Sequence, residues 1–270
     1  GPPHNAGAGL LKLGARFPVT LLATAGDDAY GETMLASARG YGLDTSHVSV
    51  IPGTVTSHTH VMSCQDTGRR TFFAQMGCNN VMTAQHLMPP EGSNAKLYYL
   101  GSPGLARAMD ESDGWRTLLR TARERGMKTC LELCPAPADA LRKHVTPCLP
   151  LCDVFVANDY EAGSLTGIDV APGGSLSWSA AEAACRKLLD MGVADLAGIH
   201  HPDGAVAVGS EFKAFAPVVF AALVVFDAGD VAQAELAVLV VALELGLDGL
   251  VGVVEQQVFD LPAALLPRQA

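Results

Sequence analysis

The chain has 270 residues, 49% of them apolar and only 17% charged, which is enough sequence to bury a large core. Its formal net charge is −10 with no extended run of Lys or Arg, so nucleic acid and anionic membrane are poor partners. Seven cysteines, an odd number spread through apolar or helical surroundings, fit reduced thiols in a cytoplasmic protein rather than a disulfide framework.

Gly1-Pro2-Pro3 is an abrupt opening, with no strand ahead of a glycine-led helix cap, and predicts that a natural N-terminal strand is missing. Ala6 to Leu13 has helical spacing and stops at Gly14. Val19 to Ala25 reads as a short buried strand ending in the turn Gly26-Asp27-Asp28, and Gly31 to Gly40 as a helix with Glu32 in its first turn. Residues 48–76 differ. β-Branched and polar residues alternate on both sides of Asp66-Thr67-Gly68, which predicts a β-hairpin.

Strand and helix then take turns. Strands are expected at Leu97 to Leu100, Thr129 to Leu133, Val154 to Ala157 and Ala205 to Val208. Helices are expected at Trp115 to Arg125, Ala138 to His144, Ala180 to Met191 and Val231 to Leu245. Such alternation is how a parallel sheet with crossover helices reads, so the predicted fold is α/β, a doubly wound and mainly parallel sheet flanked by helices. The apolar stretch Leu236 to Val254 is broken by Glu244 and Asp248, which suits a buried helix better than a membrane span.

Three segments could carry chemistry. In Phe226-Asp227-Ala228-Gly229-Asp230, small residues end an apolar run and open the long helix. Backbone N–H groups at such a start form an anion site, and Asp230 could accept a proton from an attacking hydroxyl. Asp230 could equally be an N-cap, and of the two the cap needs fewer assumptions. Asn158 and Glu161 lie three apart after a strand, where open α/β sheets bind ligands. They could hold Mg²⁺ through water or could form a capping box. Asn5, ahead of small residues Ala6, Gly7 and Ala8, could touch a polyhydroxylated ligand or cap the helix.

In this order the segments resemble the ribokinase-like (PfkB) carbohydrate kinases. Gly1 and Asn5 resemble the second half of that family's glycine-pair and Asn motif, and Gly26-Asp27-Asp28-Ala29-Tyr30-Gly31 its G-D-D-x-x-G segment. Leu43 to Val48, Gly68 to Phe72 and Gly77-Cys78-Asn79 are similar to its D-T-S, hairpin-return and G-A-N stretches. Asn158 and Glu161 resemble its N-x-x-E motif, and Ala228-Gly229-Asp230 the end of its G-A-G-D. The chain departs where Asp227 replaces the first Gly of G-A-G-D. Ile199 and His201 replace the Thr and first Gly of the nucleotide stretch T-x-G-x-x-G, leaving only Gly204, and Glu132 replaces a commoner Asp.

The resemblance implies one ribokinase-like kinase domain over 1–270, with a hairpin lid element at 48–76. It implies ATP-dependent phosphoryl transfer to a hydroxyl of a sugar, with ATP and Mg²⁺ as cofactors. Asp230 would be the base, and the amides of Asp227, Ala228 and Gly229 would steady the phosphoryl. Gly1, Asn5 and Asn79 would bind sugar; Asn158, His201 and Gly204 would bind nucleotide; Asn158 and Glu161 would serve the metal. The alternative is a catalytically impaired homologue that binds ligand or acts as a scaffold, for which Asp227 and Ile199 speak.

Other groups have plainer readings. Cys130 and Cys134, with Cys148 and Cys152, form C-x3-C pairs that fit buried thiols better than zinc ligands. His58 and His60 share a strand face and could be ligands or sugar contacts, although a solvated or capped pair is simpler. Asp27-Asp28 reads as a turn, and the exposed hairpin offers a route to a homodimer.

Overall fold

Small residues set the N-terminal packing. The structure, a computed structural model, describes residues 2–67, 70–134, 136–209 and 213–217. Helix α1 (Pro2–Lys12) buries Ala6 and Ala8, and a Cβ on Gly7 would come within 2.8 Å of Leu43. That close approach seats α1 on a small core of Leu21, Ala38 and Leu43. Because the helix begins at Pro2, Asn5 lies inside its first turn rather than ahead of it. The expectation that Asn5 opens or caps the helix is corrected accordingly.

Strand β1 (Ala23–Gly26), helix α2 (Ala29–Gly40) and strand β2 (Val48–Ile51) follow, and β2 pairs with β1 in parallel. Residues 48–51 therefore belong with β1, and the hairpin itself is β3 (His58–Ser63) against β4 (Arg70–Gln75), antiparallel. The alternation in sequence begins earlier than the pairing because Thr56 is engaged elsewhere. Its hydroxyl accepts from Gly26 N at 2.8 Å and donates to Asp28 Oδ1 at 2.6 Å. Asp28 also caps α2, accepting from Gly31 N, and takes Thr56 N on its other oxygen. The turn thus fastens the hairpin root to the body. Gly26 is obligatory there, since a Cβ would meet Thr54 O at 2.2 Å.

Helix α3 (Ala84–Leu87) leads to a six-stranded sheet. Its strands are β5 (Leu97–Leu100), β6 (Lys128–Glu132), β7 (Val154–Asn158), β8 (Leu196–His201), β9 (Gly204–Gly209) and β10 (Lys213–Pro217), neighbours in chain order. The first four are parallel and the last two antiparallel. Between them run α4 (Arg107–Asp110), α5 (Gly114–Glu124), α6 (Ala138–His144), α7 (Asp159–Thr166) and α8 (Trp178–Asp190). The sheet is mainly parallel, as its strand–helix alternation predicts. Strand β8, with Gly198 and two histidines in six residues, has no such signal and emerges only from its pairing.

Alternate residues divide the sheet into two faces. Leu131, Phe155, Ala157, Ala197 and Ile199 pack into the main core with Leu118, Leu141, Leu165 and Leu188 of the helices. Cys130, Val154, Val156, Leu196 and Ala207 form a second buried cluster on the other face. The helix expected at Val231 to Leu245 lies outside the described residues.

All seven cysteines are free. Cys130, Cys148 and Cys152 are buried, and burial pushes the Cys130 and Cys148 thiols up to about 12. Cys148 and Cys152 donate to backbone carbonyls of His144 and Cys148 one turn back, as core thiols do. None of the helices among the described residues is long and apolar enough to cross a membrane.

Candidate functional site

The C-terminal ends of β6 and β7 gather the polar groups. Asn158 ends β7, and its side-chain oxygen accepts from Glu161 N at 2.8 Å while Glu161 Oε2 accepts from Asn158 N at 2.9 Å. This is a complete capping box, so one reading of the Asn-x-x-Glu spacing is realised. The box does not use up the carboxylate. Glu161 is 2% exposed, and its Oε1 is buried without a hydrogen-bond partner in the structure. A carboxylate in that setting is costly to ionise. Burial, with the charge of Asp159 adding to it, raises its pKa to about 7 against the pull of the Asn158 N–H.

Glu132, the last residue of β6, faces the same way. It alternates with Cys130 on the second face, where Val156 is its partner in register and Asn158 follows two residues on. Glu132 is 6% exposed with Oε2 unpartnered. Burial, reinforced by the charge of Glu161, lifts its pKa to about 8. Two buried acids therefore sit within electrostatic reach, each with an oxygen that no donor among the described residues satisfies. Cys134 lies beside them, and burial raises the pKa of its thiol.

Among the described residues, this is where the fold places a cation-receptive pair. Hard divalent cations take oxygen donors, and Mg²⁺ is commonly held by one or two carboxylates with phosphate and water completing its shell. The orphaned oxygens of Glu132 and Glu161 fit that donor set. Glu132 was visible in sequence only as a departure from an Asp. Its closeness to Glu161 depends on the register of β6 against β7, which local spacing does not encode.

The other expected site residues are placed as follows. His200, the register partner of Asn158, shares its face. His201 is turned to the helix side, 8% exposed, and its Nδ1 accepts from Asp203 N at 3.1 Å. The structure does not bring the His201 side chain to the Asn158 face; it holds the β8–β9 turn. Gly204 opens β9 with φ 152°, directly across from His201. Ile199 is buried in the main core, also on the helix side. Asn79 lies in a 3-10 turn, Gly77–Asn80, that is tied to β1 by Cys78 Sγ donating to Thr24 O. Gly1, Asp227, Ala228, Gly229 and Asp230 lie outside the described residues.

Comparison with known proteins bears on the fold and the family. The chain is 26% identical over 171 residues to the ribokinase of Haemophilus influenzae, an alignment covering 63% of the chain and 52% of that protein. It spans about half the length of this curated relative. Among solved structures it is similar to ribokinase from Giardia lamblia, with TM-score 0.62 and 16% identity, covering 78% of this chain and 63% of that one. It is also similar to fructokinase from Vibrio cholerae, solved with fructose, ADP and calcium ion, with TM-score 0.63 and 16% identity. There 88% of this chain and 81% of the fructokinase are covered. These likenesses establish the ribokinase-like fold. The sequence profile of the pfkB family carbohydrate kinases matches residues 1–236, and the chain belongs to that family.

Proposed function

We propose that the protein transfers a phosphoryl group from ATP to a hydroxyl of a sugar or sugar-like acceptor. The observation that carries this reading is the pair of buried acids in a pfkB-family chain, Glu132 at the end of β6 and Glu161 in the first turn of α7 just after the adjacent parallel strand β7, each with an oxygen left unpartnered among the described residues. We assign that pair to Mg²⁺, which when bound would offset the charge of the nucleotide phosphates. Asn158 positions Glu161 through the capping box, and with its oxygen taken by Glu161 N its amide N–H groups remain for a phosphate oxygen.

In this reading Asp230 accepts the proton of the attacking hydroxyl, and the amides of 227–230 steady the transferred group. Gly1, Asn5 and Asn79 contact the sugar. Gly204 lets the β8–β9 turn approach the nucleotide, while His201 serves the turn rather than the ligand. The whole chain acts as one cytoplasmic kinase domain whose hairpin covers the acceptor. The hairpin also joins two copies into a dimer, supported by the exposure of Val61, Met62, Phe72 and Phe73 on its two faces.

The impaired-homologue reading has less support. Ile199 faces the core, so it neither adds nor removes a group on the Asn158 side, which leaves Asp227 as its main argument. ATP consumption over a panel of pentoses, hexoses, keto-deoxy acids and nucleosides separates the two. Sugar-dependent turnover is expected, falling about 10³-fold in Asp230→Asn. Absence of turnover beside a ligand-raised melting temperature would replace the kinase reading with the binding one.

A further inference from the structure

His58 and His60 occupy alternate positions of β3, so both side chains stand on one face of the hairpin. Their ring centroids are 5.2 Å apart and their planes cross at 83°. Two imidazoles on one tetrahedral zinc, each nitrogen ~2.0 Å from the metal, place their centroids about 5 Å apart, so the pair already stands at a chelating separation. The tautomer of His58 is also fixed. Its Nδ1 lies 2.8 Å from Thr56 O, which can only accept, so Nδ1 carries the proton and the neutral ring keeps its lone pair on Nε2. A backbone carbonyl holding the far nitrogen is the arrangement by which proteins orient metal-binding histidines.

The surroundings keep the pair in place without filling it. Tyr30 of α2 stacks on His58 at 4.1 Å with planes 11° apart, and meets His60 edge-on at 6.3 Å. Asp28 lies within electrostatic reach of His58, and its carboxylate adds a favourable field for a cation. His60 is exposed, so the site opens to solvent and water can complete the shell.

We infer that His58 and His60 form a two-imidazole site for a borderline divalent ion of the zinc or nickel class, at the root of the hairpin. Its nitrogen donors set it apart from the carboxylate pair Glu132 and Glu161, whose chemistry suits Mg²⁺. The inference stands on the hairpin alone and does not depend on the kinase reading.

Zinc titration followed by calorimetry tests it, on full-length Cys64→Ser protein in excess Mg²⁺, so that neither the exposed thiol nor the carboxylates compete. One saturable zinc per chain is expected, weakened at least about tenfold by His58→Gln and by His60→Gln separately. In parallel, zinc should shift the ring-proton resonances of these two histidines before those of any other in the unsubstituted chain, a readout that needs no His variant to fold. Failure to bind zinc, binding that survives either substitution, or first shifts at other histidines would overturn the assignment.

Discussion

Glu132 and Glu161 are the residues at which burial and charge oppose each other most directly. A carboxylic acid whose folded pKa is raised contributes stability fully present below its unfolded value and lost as pH rises through the folded one. For Glu132 that window runs from about 4.5 to about 8. Glu132→Gln should therefore stabilise the protein above pH ~8, by on the order of 2 kcal/mol, and flatten the pH dependence of its melting temperature. Denaturation followed by circular dichroism across that range checks the sign. A variant less stable than wild type at the alkaline end would mean that the acid has a donor after all. Half of this pair was legible in sequence. Asn158 and Glu161 are three residues apart and advertise themselves as a capping box, whereas Glu132 reaches them through its pairing with Val156, a partner far along the chain that leaves no local mark. The same limit applies to His200 and His201, whose opposite faces follow from the register of β8 alone.

At the scale of elements, the hairpin depends on the knot that Thr56, Asp28 and Gly26 tie at its root. Thr56 is buried, and replacing it by Val leaves Gly26 N without its acceptor and removes one of the three donors to Asp28, the two backbone N–H groups remaining. Such a loss costs about 1–3 kcal/mol, to be read as a lowered denaturant midpoint. Hydrogen bonds from the Thr56 hydroxyl, Gly31 N and Thr56 N hold the Asp28 carboxyl below its usual range. Its contribution is present above the unfolded value and is lost on acidification, so the penalty of Asp28→Asn should shrink as pH falls below about 4. A penalty that is constant with pH would show that the charge of Asp28 plays no part. Most helices and strands were readable because periodicity is a local property: Leu97–Leu100 and Ala138–His144 end where their patterns end. The alternating pattern overextends the hairpin because it continues into the segment that Asp28 captures.

For the molecule as a whole, the large apolar side chains at the hairpin surface predict self-association. Phe72 and Phe73 point to opposite faces of a two-stranded ribbon and are 59% and 60% exposed. Replacing both by Ser is expected to convert a dimer into a monomer in sedimentation velocity, with secondary structure retained. A wild-type monomer at micromolar concentration would end that proposal. The fold class was legible from the alternation of strand and helix, which reports a parallel sheet whatever the details of its register.

The sheet from β5 to β10 follows the order of the chain without a single exchange. During synthesis each strand therefore leaves the ribosome to find its neighbour already laid down, and docks on a growing edge. Among the described strands β5 to β10, none has to wait for a distant later one, which shortens the interval in which an apolar edge stands bare to other nascent chains. The plain left-to-right layout of this half is thus a safeguard of its biogenesis as much as a platform for its acids.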